Sequence, residues 1–221
     1  MAGLAFTAGF IDALSLLRFG VFASVMTGNT IILGLGIARG EPASSALRSA
    51  VAIGTYMVGV AVGTSITDST PDKQGRISPS GATNAFVLEF LALLALAGGG
   101  VFVGNTSSSN MVYVLIALAA MSMGIQSAGF NALGIPGAST TRITGTYENF
   151  VIDLYRWRRS STLKTALKKR SDAALQAIVL LVYVLAAIAG GLAETYLSLD
   201  ATLIPVTVLG VIIIVARSRT S

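Results

Sequence analysis

Met26-Thr27-Gly28-Asn29 interrupts an apolar segment near the start of the chain, and Ile143-Thr144-Gly145-Thr146 interrupts another in the second half. Each of these two Thr-Gly motifs follows a helix-like segment with a Gly-x-x-(Asp/Ser)-Ala cluster and precedes a stripe of one Tyr and two small residues. Three matched elements in one order predict an internal duplication, with one repeat over 1–104 and the other over 105–221. Duplicated halves with polar, glycine-interrupted apolar segments are typical of secondary transporters, whose substrate sites form between the repeats.

The other matched positions are small residues and tyrosines. They are Gly9, Asp12 and Ala13 with Gly124, Ser127 and Ala128, followed by Tyr56, Gly59 and Gly63 with Tyr183, Ala186 and Gly190. Small residues four apart are typical of close helix packing in membranes. We therefore expect these stripes to bring the two halves, or two copies of the chain, together.

The composition is that of an integral membrane protein. Of the 221 residues, 53% are hydrophobic and 11% are charged, whereas about a quarter of residues are charged in soluble domains. In lipid only helices and closed barrels satisfy the backbone, and the long apolar runs lack the alternation of barrel strands. We predict an all-α, polytopic transmembrane bundle of about eight spans, built as two four-helix repeats. The predicted spans are about 2–17, 21–38, 46–67, 84–104, 111–133, 140–155, 173–196 and 202–216.

Two residue types are absent, and their absence excludes several classes of protein. Without cysteine there is no disulfide, Fe–S cluster or thiol catalysis, and without histidine the usual acid/base and the commonest metal ligand are missing. No phosphate-binding loop of the G-x-x-x-x-G-K-[ST] type occurs either. We expect no metal, no cofactor and no enzyme activity. The formal charge of +5 lies beside apolar spans, which fits lipid headgroups and topology better than nucleic acid.

Positive residues predict the orientation in the plasma membrane. Arg39 and Arg48 follow the second span, a basic segment at 156–170 follows the sixth, and Arg217 is close to the C-terminus. With eight spans all of these lie on one side, which is the cytoplasmic side by the positive-inside rule, together with both termini. The surface loop near 68–83 would lie opposite. Four spans per repeat make the halves parallel; if span two or span six re-enters instead of crossing, this parity fails.

The motifs resemble the YoaK-type family of microbial membrane proteins. The resemblance is carried by residues 7–13, 22–29, 123–126 and 140–146, and it covers nearly the whole chain. The family is one of unknown function, so the resemblance implies a multi-pass membrane protein and names no substrate.

Asp12 is the strongest candidate for a functional side chain. It lies within an apolar span, where a charged residue costs about 2.5–3.5 kcal/mol on insertion scales. Such residues pair inside the bundle, relay protons or contact substrate. Asp12 is therefore a candidate coupling residue, and the alternative is a structural ion pair with Arg18 or Arg142.

The Thr-Gly motifs and a second polar group complete the predicted site. Glycine permits helix interruption, after which hydroxyls, amides or free backbone groups can bind a ligand; close helix packing is the alternative. The candidate substrate-binding residues, besides Asp12, are Thr27, Gly28, Asn29, Gln126, Thr141, Arg142, Thr144, Gly145 and Thr146. Arg142 is either an anion-binding guanidinium, a counter-ion to Asp12 or a residue that reaches the surface. Glu89 and Glu148 are weaker candidates, and Asp153 is expected to meet the basic segment.

The leading hypothesis is a secondary transporter or permease for a small polar or ionisable metabolite, coupled to protons or cations through Asp12. The chain is small, so we expect a homodimer, although one bundle could suffice. Two alternatives remain open, a channel-like pore with the interrupted helices as its filter and a non-transporting membrane scaffold or accessory protein.

Overall fold

The computed structural model describes residues 1–40, 43–69, 79–103, 109–135, 139–160 and 162–218, and in these ranges every regular element is a helix. The helices are α1 (Ala2–Phe19), α2 (Met26–Ala38), α3 (Ala43–Asp68), α4 (Pro79–Val103), α5 (Ser109–Ala132), α6 (Ile143–Arg159), α7 (Leu163–Leu197) and α8 (Leu203–Ser218), with a 3-10 turn at Ser198–Thr202. The predicted all-α fold is confirmed. The predicted surface loops near 68–83 and 105–110 lie largely outside the described residues.

Two of the eight predicted spans are too short to cross a bilayer. Within the described ranges, six helices are long and apolar enough to do so, namely α1, α3, α4, α5, α7 and α8. Helix α2 has 13 residues, whereas a spanning helix needs roughly 20, and α6 has 17 residues of which five are charged. The candidate span at α8 reaches 19 residues because it includes the 3-10 turn and runs from Asp200 to Ser218. Each begins at its Thr-Gly motif instead of running through it. The expectation that 21–38 and 140–155 cross the membrane is therefore corrected, because the residues just before each motif are not helical.

Polar contacts at the helix ends fix the relative directions of the helices. Arg18, near the end of α1, pairs with Glu194, near the end of α7, at 3.5 Å, so α1 and α7 run in the same direction. Arg48, near the start of α3, donates to the carbonyl of Phe19 at the end of α1, at 3.3 Å. Helices α1 and α3 consequently run in opposite directions.

A further contact shows that α1 and α5 are also antiparallel. The Gln126 amide, late in α5, donates to the carbonyl of Leu4, early in α1, at 2.8 Å. Helices α1 and α5 begin the two predicted repeats, so the expected parallel arrangement is wrong for these corresponding helices. The physical reason is that α2 and α6 are not candidate spans, so that an odd number of candidates, α1, α3 and α4, precedes α5 in the described part of the chain.

Close helix packing occurs at the small residues that the sequence pairs between the halves. A Cβ on Gly9 would lie 2.5 Å from the Tyr183 carbonyl oxygen, across the α1–α7 interface. A Cβ on Gly124 would collide with the Tyr56 carbonyl oxygen in the same way, across the α3–α5 interface. These are the two most extensive helix interfaces, and each joins a helix of the first half to one of the second, as the small-residue stripes predict.

The remaining helices surround this four-helix centre. Helix α2 packs on α3, α6 on α7, α4 on α5, and α8 against both α4 and α1. Large apolar side chains such as Phe10, Leu93 and Met123 are buried between them. Apolar residues such as Met57 and Leu181 are exposed on the outer surface, where a bilayer would contact them.

Candidate functional site between the starts of α2 and α6

The first turns of α2 and α6 line one cavity of about 290 Å³. Its walls are Ser24, Val25, Met26, Thr27, Tyr56, Thr141, Arg142, Ile143, Thr144 and Gly145. Both Thr-Gly motifs therefore contribute to a single space, as the sequence predicts. The walls come from the two short helices, from the segments that precede them and from α3.

Each short helix is preceded by a segment that turns back along the helix before it. Gly20, at the end of α1, has φ 73°, and Gly134, just after α5, has φ 62°. Such left-handed backbone favours glycine and lets the chain leave a helix sharply. Beyond these glycines, Ser24 meets Asp12 of α1, and Thr140 meets Gln126 of α5 at 2.9 Å.

The segment before α2 returns only part of the way along α1. Asp12 lies seven residues before the end of α1, which is about 10 Å at 1.5 Å per residue. Helix α2 then has 13 residues, about 20 Å, with which to return to the level where α3 starts. The geometry is that of two short helices whose N-terminal ends meet within the bundle.

Asn29 and Thr146 fasten the segments before α2 and α6 to the helices themselves. The Phe22 N–H donates to Asn29 Oδ1 at 2.8 Å, and Asn29 Nδ2 donates to the Phe22 carbonyl at 2.7 Å. In α6, the Ser139 N–H donates to the Thr146 hydroxyl, which itself donates to the Ser139 carbonyl, both at 3.1 Å. The two contacts span the same seven residues. Asn29 and Thr146 thus serve the backbone, and neither lines the cavity.

Asp12 lies behind the cavity wall. Its carboxylate, 3% exposed, accepts hydrogen bonds from the Ser24 N–H at 2.7 Å, the Ser24 hydroxyl at 2.5 Å and the Tyr183 hydroxyl at 2.6 Å. Ser24 lines the cavity, so Asp12 is one side chain away from it. The alternative of an ion pair with Arg18 or Arg142 is not met, because Arg18 pairs with Glu194.

At the start of α6, the Arg142 guanidinium bonds to a neutral group, and the Thr141 hydroxyl has no hydrogen-bond partner among the described residues. Arg142 Nη2 donates to the Asn131 amide oxygen at 2.7 Å, a neutral partner. Thr141 is 4% exposed, and its hydroxyl oxygen has no hydrogen-bond partner among the described residues. Both residues line the cavity.

Comparison with known proteins places the chain in a family. A family model described as a protein of unknown function (DUF1275) matches residues 1–215. The chain belongs to the DUF1275 family. It is 32% identical over 193 residues to the UPF0700 transmembrane protein YoaK of Bacillus subtilis (strain 168), covering 86% of this chain and 81% of that protein. No solved structure matches it. With six spanning candidates and a transmembrane relative, this DUF1275 member is an integral membrane protein.

The structure divides the predicted site residues into two groups. The cavity is lined by Thr27, Thr141, Arg142, Thr144 and Gly145, and not by Asp12, Gly28, Asn29, Gln126 or Thr146. Gly28 faces the Phe22 ring, where a Cβ would lie 2.9 Å from two ring carbons. Gln126 donates to Leu4 and Thr140 and so holds the segment before α6 against α1. The predicted site residues thus lie partly in the cavity wall and partly behind it.

The three weaker carboxylate candidates lie outside the cavity. Glu148 is exposed. Glu89 of α4 is fully buried, and both its oxygens lack a hydrogen-bond partner in the described part of the chain. Asp153 meets the basic segment as predicted, through Lys169 at 2.7 Å. Burial raises the pKa of Asp153, but the hydrogen bonds from Lys169 and Gln176 and the nearby positive charges outweigh this, and the pKa lies below its usual value.

Ser24, Tyr56 and Tyr183 lie at or beside the cavity, although the sequence analysis does not assign them to the site. Ser24 and Thr141 each precede their Thr-Gly motif at the same distance, so the register of the duplication would have identified Ser24. Tyr56 lines the cavity and Tyr183 donates to Asp12. Their partners differ because the residue that matches Asp12 in the second half is Ser127.

Proposed function

We propose that this DUF1275 member is a secondary transporter or permease for a small polar or ionisable metabolite, and that the cavity between α2 and α6 is its substrate site. One observation carries the proposal: two short helices begin at a common cavity inside a bundle of spanning helices. Irregular backbone at membrane depth is tolerated where it is buried in protein or lines a cavity, and interrupted helices of this kind form substrate sites in transporters.

The proposed topology has six crossings, with α2 and α6 entering and leaving on the same side. Both termini then lie on one side, together with the basic segment 156–170, and the positive-inside rule makes this side cytoplasmic. Arg39 and Arg48 move to the opposite side. The two halves, 1–104 and 105–221, become an inverted pair, an arrangement that supports alternating access around a fixed site.

Asp12 is the proposed coupling residue. Its hydrogen bond to the Ser24 hydroxyl joins a buried carboxylate to the cavity wall. Protonation of Asp12 would turn one acceptor oxygen into a donor and so release the Ser24 hydroxyl towards the cavity. Occupancy of the cavity and protonation of Asp12 would therefore influence each other.

A homodimer in the plasma membrane is the proposed assembly. Thr27, Arg142 and Thr144 are exposed along one open side of the cavity, and a second copy would close that side. A cross-linking experiment in native membranes tests this point independently of transport.

The proposed function is tested by ligand screening followed by uptake. Small metabolites are first screened for thermal stabilisation of the purified protein, because ligands that bind the folded state raise its apparent stability. Compounds that bind are then assayed for uptake by proteoliposomes. Saturable uptake that weakens in Thr27→Val and Thr144→Val, and not in Thr30→Val on the same helix α2, supports the proposal. Non-saturating flux would indicate a pore, and unaltered uptake in both site variants would refute the site.

A further inference from the structure

We infer that the cavity is built for an anion, so that the substrate carries a carboxylate or another small oxyanion held between the starts of α2 and α6. That the ligand is a substrate rests on the proposed function. The new statement is that this ligand carries a negative charge. It is carried by three independent features of the cavity wall.

The first feature is the absence of caps on both helices. The N-cap residues Val25 and Arg142 make no side-chain capping bond. In the first turns, the N–H groups of Thr27, Gly28, Thr144 and Gly145 have no acceptor in the described part of the chain. Unpaired N–H groups and the positive end of the helix dipole attract negative groups. Here two such ends line one cavity.

The second feature is the buried hydroxyl of Thr141, which lacks a hydrogen-bond partner in the described part of the chain. The Thr141 hydroxyl oxygen is buried and has no partner among the described residues, although a buried polar group without a hydrogen bond destabilises a folded protein. Its matched residue, Ser24, donates its hydroxyl to Asp12 instead. Thr141 belongs to the cavity wall, and its hydroxyl, which is buried just behind the surface, has no competing partner in the described part of the chain. A ligand in the cavity is the partner that we infer for it.

The third feature is the balance of charge around the cavity. The Arg142 guanidinium makes no ion pair within the described ranges, since its side chain bonds to the neutral Asn131 amide. The nearest carboxylate by contact, Asp12, lies behind Ser24, with both oxygens occupied by donors. Glu148 lies one turn beyond the second Thr-Gly motif and is not part of the wall. An entering anion meets one positive side chain and two positive helix ends.

Thermal unfolding of the purified protein in the presence of matched ligands tests the sign of charge. The probes are sodium acetate, lactate, succinate, nitrate, sulfate and phosphate. Their neutral or cationic counterparts are acetamide, lactamide, succinamide, urea and methylammonium, all at constant ionic strength. We expect at least one oxyanion to raise the unfolding temperature and its amide counterpart to leave it unchanged.

Variants locate the bound anion. Thr141→Val and Arg142→Gln should each raise the apparent Kd of the stabilising anion about tenfold, as expected when a charge-assisted hydrogen bond is lost. Thr202→Val is the matched control for Thr141, because Thr202 is also buried with an unpartnered hydroxyl but lies outside the cavity wall. Arg158→Gln removes one exposed charge from the basic segment and controls for Arg142. If Thr141→Val fails to fold, the apparent Kd of Arg142→Gln, a change at an exposed position, tests the inference by itself.

Three results would overturn the inference. They are stabilisation by no oxyanion, equal stabilisation by a neutral or cationic counterpart, and an anion effect that Thr141→Val and Arg142→Gln leave intact. Uptake separates this inference from the proposed function. Saturable uptake of a neutral or cationic compound through the cavity would show that the substrate is not an anion, while it would support the proposed transport function. Anion binding at Arg142 without any flux would contradict the proposed transport function, while it would support the inference that the cavity binds an anion.

Discussion

Ser24 donates its backbone N–H and its hydroxyl to the two carboxylate oxygens of Asp12, at 2.7 and 2.5 Å. The Tyr183 hydroxyl adds a third donor at 2.6 Å. Three donors match a carboxylate that only accepts, and they join α1, α7 and the segment before α2 at one point. Because Ser24 also lines the cavity, this cluster connects an intramembrane carboxylate with the candidate site.

Replacing Asp12 with asparagine should destabilise the protein. Asp12→Asn places an amide NH₂ opposite a hydrogen-bond donor, so at least one buried donor loses its acceptor, at a cost of about 1–3 kcal/mol. Tyr183→Phe removes a single donor and should cost less. Thermal unfolding in detergent measures both effects, and a stability equal to wild type in Asp12→Asn would contradict the structural part of this role.

The coupling role of Asp12 has a separate readout. If Asp12 carries the coupled proton, folded Asp12→Asn protein should still bind substrate and exchange it across the membrane, yet fail to accumulate it against a gradient. Normal accumulation by this variant would assign Asp12 to structure alone.

The matched fastenings at Asn29 and Thr146 should behave alike. Asn29→Leu and Thr146→Val each remove a pair of hydrogen bonds to the preceding segment, and each should lower stability by about 1–3 kcal/mol. Thr30→Val, an exposed position on α2, should be close to neutral. Ligand affinity of the folded fraction should change little. A large loss of ligand affinity with unchanged stability would instead show that Asn29 and Thr146 contact the ligand.

The glycine contacts predict position-specific intolerance. Gly9→Ala and Gly124→Ala would push a methyl group into the Tyr183 and Tyr56 carbonyls, and overpacking of this kind costs about 1–3 kcal/mol or more. Gly34→Ala and Gly54→Ala meet nothing within 4 Å and serve as controls. Yield and unfolding temperature compare the four variants. Equal tolerance at all four positions would contradict the close α1–α7 and α3–α5 approach.

Hydropathy located the helices but could not count the crossings. The run Val21-Phe22-Ala23-Ser24-Val25 is largely apolar and was therefore joined to α2 as one span. In the structure Val21 and Ala23 are buried against protein, and hydropathy does not distinguish burial in protein from contact with lipid.

The two Thr-Gly motifs predicted which segments share a cavity better than they predicted what their individual side chains contact. Both Thr-Gly motifs do meet at one cavity, because they start helices that enter the same interior. However, an Asn or Thr side chain can bind a ligand or its own backbone equally well. Only the coordinates show that Asn29 and Thr146 bond to Phe22 and Ser139, seven residues earlier.

The revised topology predicts that Gly40 and Lys164 face opposite sides of the membrane. Reporter fusions, or single cysteines introduced into this cysteine-free chain, read each position directly. Gly75 and Ser221 should report the same side as Lys164, because only α2 and α6 fail to cross. Gly40 and Lys164 on the same side would restore eight crossings and parallel halves.

Uptake by proteoliposomes before and after cross-linking Thr27→Cys to Thr144→Cys tests whether the two helix starts form the transport site. The wild-type chain has no cysteine, so a short, reducible bifunctional thiol reagent can bridge only the introduced pair. We expect the bridge to abolish uptake of the stabilising ligand and reduction of the bridge to restore it. Neither single-cysteine protein should be inhibited to the same extent. Unchanged uptake by fully cross-linked protein would show that substrate does not pass between α2 and α6.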